Sequence, residues 1–140
     1  MPQKTPQELQ EAKRQRAKER RDVEQEAMER MDKDHDLYAR HGALSSYVDG
    51  IYDEVSKLSA KRPTDIVSAR MVERANRAIK DARELLAVEG DPFLDEIQLF
   101  IEAGDPTEAR DVVLTLRQVK DALARLKHRH FLTWNNYSFS

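Results

Sequence analysis

The residues with which this chain could do chemistry are four histidines and a few closely spaced aspartates. Asp34-His35-Asp36 followed by His41 supplies oxygen and imidazole, a set that suits a divalent metal. Adjacent residues on a helix diverge by about 100°, however, so this run does not converge on one ion. His128 and His130 are two apart and fall on different helix faces, which is poor geometry for zinc. Asp49 and Asp53 share a face at (i, i+4) and could take a divalent ion together with carboxylates from another helix, as in a metal-dependent hydrolase. No paired Glu-rich motif accompanies them, and Lys57 next along that face would neutralise them. A phosphate-binding glycine loop, a serine nucleophile elbow and a His-Glu-x-x-His zinc sequence are all missing. The expectation is a protein that is not an enzyme, with no cofactor, no metal and no small-molecule substrate.

The elements that would position any site are helices. Charged residues make up 36% of the 140-residue chain and apolar ones 39%, with four glycines and five prolines and no alternating β-branched or aromatic runs. That pattern favours long helices over a sheet, and the length allows one domain with extensions. No cysteine is available for disulfides or thiolate metal sites. No apolar run approaches the ~18 residues of a membrane span, and the polar start lacks a signal-peptide core. A cytoplasmic protein without a membrane partner is the default reading. The net charge of −2 gives the whole molecule no push towards nucleic acid.

The helix starting near Asp105 and running to about His130 carries the clearest stripe, with Ala109, Val112, Leu116, Val119, Leu123 and Leu126 at alternating steps of three and four. Asp105 is expected to cap it, Pro106 to enter its first turn, and Glu108 to close a capping box. Upstream, Leu44, Val48, Ile51, Val55 and Leu58 predict a helix over 43–61. Its Gly50 suggests a close neighbouring backbone, and Arg62-Pro63 ends it. Thr64 is the expected cap of the next helix, which reaches about Val88 on a stripe of Val72, Ala75, Ile79, Ala82 and Leu86. Gly90-Asp91-Pro92 and Gly104-Asp105-Pro106 read as helix stop, cap and entry signals. Between them Phe93, Leu94, Ile97, Leu99, Phe100 and Ile101 predict a short, very apolar helix. The expected fold class is therefore all-α. It is an antiparallel bundle of three longer helices and one short apolar helix, over 43–130, preceded by a charged helical arm over 1–42 and followed by an aromatic tail over 131–140.

Two segments look like contact surfaces. In the arm, Lys13, Arg14, Arg16, Lys18, Arg20 and Arg21 face only Glu19, whereas seven acids between Asp22 and Asp36 face only Arg30 and Lys33. Such a helix has too little apolar surface to build its own core, and its two ends suit an antiparallel copy. His41-Gly42 is the expected end of the arm. In the tail, Phe131, Trp134, Tyr137 and Phe139 are unusual for a free terminus and imply packing either on the bundle or on a partner. The best-supported expectation is a non-enzymatic protein–protein interaction module, a small subunit or regulatory adaptor of a larger assembly that binds a protein partner or itself. The alternative is a nucleic-acid-associated protein using residues 13–21 and the basic end of the last helix (Arg117, Lys120, Arg125, Lys127 and Arg129). The metal-dependent hydrolase is third.

Overall fold

A computed structural model describes residues 5–87, 89–91, 97 and 106–137. The described residues form four helices and no strand: α1 (Pro6–Lys61), α2 (Ala69–Ala87), α3 (Ala109–Arg129) and α4 (Phe131–Tyr137). The all-α expectation is met. The chain separates into two units, Met1–Asp36 and Leu37–Ser140.

The start of α1 is a capping box. The Glu8 amide donates to Thr5 Oγ1 at 3.2 Å, and the Thr5 amide donates to Glu8 Oε2 at 3.1 Å, satisfying two donors that the first turn would leave open. The helix does not stop at His41-Gly42, as its glycine suggested, but continues unbroken to Lys61. The reason lies in the residues around the glycine. Leu37, His41, Leu44, Val48, Ile51 and Val55 keep one stripe across it, and all of them are buried or packed against the core. Packing along that stripe outweighs the cost of one glycine, roughly 0.5–1 kcal/mol relative to alanine.

In the second unit, partners across the helix faces give the directions. His41, Asp49 and Tyr52 of α1 meet Leu123, Lys120 and Arg117 of α3 in that order, so α1 runs antiparallel to α3. Glu54 meets Arg74 and Tyr47 meets Arg77, so α1 also runs antiparallel to α2. It follows that α2 and α3 point the same way, and their starts are clasped together. Val67 donates its amide to the Thr107 carbonyl, Ala109 to Asp65, and Arg110 to Pro63, at 2.8–3.0 Å, around an isolated bridge between Ile66 and Glu108.

This clasp corrects the expected cap of α2 and the expected place of Glu108. Residues 62–68 are turn and extended chain, so Thr64 caps nothing; Ser68 does, accepting the Met71 amide on its hydroxyl at 3.2 Å. Glu108 stands at the N-cap of α3 rather than three residues inside it. It makes no side-chain cap bond and turns its carboxylate to Arg110 Nε at 2.7 Å. Pro106 precedes the helix, and the expected cap at Asp105 lies outside the described residues. So does the short apolar helix of 93–101, apart from Ile97, which is buried and accepts a hydrogen bond from Arg83 on its carbonyl. Gly90 closes α2 with a φ of +65°, the left-handed conformation that glycine adopts without strain.

The core joins the stripes of α1, α2 and α3 with Trp134 of α4. Ala75, Ala78, Ala82, Ala109 and Ala122 are completely buried, and α2 and α3 come closest of the three long helices, with Cα atoms within 8 Å. Small residues at a helix interface permit that approach, while the larger α1 side chains hold their helix further off. Gly50 does not serve a close contact: a Cβ built there meets nothing within 4 Å.

Candidate interaction surfaces

The first unit is one helix with its side chains in solvent. Lys13, Arg14, Arg16, Lys18, Arg20 and Arg21 are all exposed, and among the described residues they make no ion pair. Beyond them, Gln25 donates weakly to Glu29 at 3.5 Å, and Arg30 reaches the Glu26 carbonyl at 3.4 Å. Val23, Met28 and Met31 are 61, 65 and 63% exposed, and Leu9 is half exposed.

The aromatic tail resolves into two kinds of residue. Trp134 is 2% exposed and closes the core. Its ring lies parallel to that of His130 (4.9 Å, 11°), is tilted against His41 (5.0 Å), and is edge-on to Tyr38 (5.7 Å). Tyr137 packs on Tyr38 at 5.3 Å. These two rings pack within their own unit. Phe131 (55% exposed) and Leu132 (83%) face outward instead. Phe139 lies outside the described residues.

Between the 38–49 part of α1, the end of α3 and the start of α4 lies an open groove of about 720 Å³. It is floored by Val48, Leu123 and Trp134 and edged by Lys120, Lys127 and Phe131. His41 sits in it, with Nε2 donating to the Leu123 carbonyl at 2.8 Å. Burial holds this imidazole below its ordinary value of 6.5; the bond to Leu123 pulls the other way, and the Lys127 charge adds to the depression. At neutral pH the ring is therefore neutral with its proton on Nε2. That nitrogen is unavailable as a metal ligand or a general base. Its role was legible in one respect: His41 falls in phase with Leu37, Leu44 and Val48.

Asp49 is taken by Lys120 at 3.4 Å, and not by Lys57; the same ammonium lies 4.2 Å from the centre of the Tyr52 ring. Arg117 donates to the Tyr52 hydroxyl at 3.1 Å, and that bond lowers the phenol from its usual value. Among the described residues, no group of three or more histidines, aspartates and glutamates could hold a metal ion. Arg125 and Arg129, part of the basic end of the last helix offered to nucleic acid, reach the fully buried carboxylate of Asp91 at 3.3 and 3.7 Å. His130 pairs with Glu89 at 2.9 Å. The basic end of α3 is thus partly consumed in holding the chain that leaves α2. Pairings between residues this far apart carry no signal in a single sequence.

Compared with known proteins, the chain matches no family model, no curated protein and no solved structure. None of the described helices is long and apolar enough to cross a membrane.

Proposed function

We infer that this chain is a non-enzymatic helical interaction module, a small subunit or regulatory adaptor of a larger assembly, working in the cytoplasm. The observation that carries the reading is the first unit, a capped helix whose Val23, Met28 and Met31 are more than half exposed. A lone charged helix has no core of its own to stabilise it, and these residues are the apolar anchors of a helix-to-surface contact. Phe131 and Leu132 offer a second, smaller patch on the other unit.

The test is isolation of the native complex on the tagged full-length chain, beside a variant carrying Val23→Gln, Met28→Gln and Met31→Gln. A specific partner, or the chain itself, should be retained by the wild type and lost from the variant. Equal recovery by both, or nothing specific from either, would remove the reading. A second reading is favoured by the six exposed basic side chains of 13–21, which make no ion pair among the described residues: contact with nucleic-acid phosphates. Such binding would weaken steeply with salt. DNA and RNA titrations with Lys13, Arg16 and Arg20 changed to Gln decide it, and unchanged binding excludes it.

A further inference from the structure

We propose that the exposed helix of the first unit pairs side by side, in antiparallel direction, with the same helix of a second copy of this chain. The proposal rests on the interaction reading above and names its partner. The first ground is the order of charge. Residues 13–21 carry six basic groups against Glu19, and residues 22–36 carry seven acidic groups against Arg30 and Lys33. The sign therefore changes once, between Arg21 and Asp22.

That segregation harms a helix on its own. Arg14 and Lys18, and likewise Arg16 and Arg20, are like charges at (i, i+4), where they repel one another. Exposed and without an ion pair among the described residues, these groups gain nothing from being sorted into a block. A second copy changes the balance. Laid parallel, basic would meet basic and acidic would meet acidic along the whole overlap. Laid antiparallel about a two-fold axis near Val23, each basic block lies beside the acidic block of the other copy, and every attraction is made twice. In that register the two copies of Val23 meet at the axis, and Met31, about 80° round the helix from Val23, borders the contact. Charge gives the direction and approximate register, while these apolar groups add area at the centre.

The absence of cysteine makes the test direct. Sedimentation of the full chain should give a dimer at low salt that falls to half the mass as salt rises. Under mild oxidation Val23→Cys should link to itself. Ala12→Cys should not, but should link to Asp34→Cys when the two chains are mixed, because both positions are eleven residues from Val23 and share its face. Changing Lys13, Arg16 and Arg20 to Glu should abolish the dimer, as should changing Glu26, Glu29 and Asp32 to Lys. Both sets in one chain should restore it, with circular dichroism confirming helix in each variant. Self-linking at Ala12 would show a parallel pair and overturn the proposal, as would a dimer indifferent to the charge changes. A wild type that is monomeric but retains a different protein or a nucleic acid through this helix also overturns it. In the protein case the interaction reading survives; a monomer that retains no protein removes both.

Discussion

His41 is the residue whose chemistry reaches furthest into stability. Its ring is held neutral by burial, donates to a carbonyl within α3, and touches the Trp134 ring. Because the folded state disfavours the charged imidazole, the unfolded chain binds the proton first as pH falls. Stability is then complete above the unfolded value near 6.5 and declines as pH drops from there through the folded value. Urea unfolding of the wild type should show that decline. His41→Gln, which keeps a donor for Leu123 without titrating between pH 5 and 7, should flatten it; identical slopes for the two proteins would show that His41 is not the cause. In sequence His41 was read as the end of the arm; its phase with Leu44 and Val48 could have placed it on the stripe, but not its partner, since Leu123 lies 82 residues away.

Among the elements, α1 shows how packing overrides a local signal. Glycine after a charged run is a common helix end, and at Gly42 that rule yields to the buried stripe on either side. Neither Gly42 nor Gly50 has any atom within 4 Å of a built Cβ, and neither has a positive φ. Each is therefore a helix position where alanine fits, and Gly42→Ala and Gly50→Ala should each raise stability by about 0.5–1 kcal/mol. A loss at Gly50 would reveal a neighbour it must admit. The stripes of α2 and α3 were readable because their three- and four-residue steps are a property of the helix alone. Leu123, at 3% exposed, lies on the α3 stripe; Leu123→Ala should cost about 2–5 kcal/mol by chemical denaturation. The starts of these helices were not readable, because Ser68 and Glu108 take their places from backbone pairing between 63–67 and 107–110.

For the whole molecule, the two units divide the work. Residues 37–137 contain every described buried hydrophobic group, and the first unit contains none. Backbone amides of a helix in solvent open locally with little cost, whereas those beneath a core exchange only through larger unfolding. Hydrogen exchange in high salt, where charge-driven contacts are screened, should therefore be fast over residues 10–36 and slow by orders of magnitude over 48–55, 75–86 and 116–126. Uniform protection along α1 would contradict this division. The composition of the arm announced it from the start, since Val23, Met28 and Met31 are too few to build a core.

The clasp at the starts of α2 and α3 also bears on how quickly the native state is reached. It joins residues some forty positions apart, 67 to 107 and 65 to 109, and so closes a loop containing the whole of α2. Ordering that loop costs chain entropy before any core contact repays it, whereas α1 needs only neighbours within a few residues of one another. The expected slow step in assembling the bundle is then the return of α3 to the start of α2, with α1 able to form its turns before that encounter.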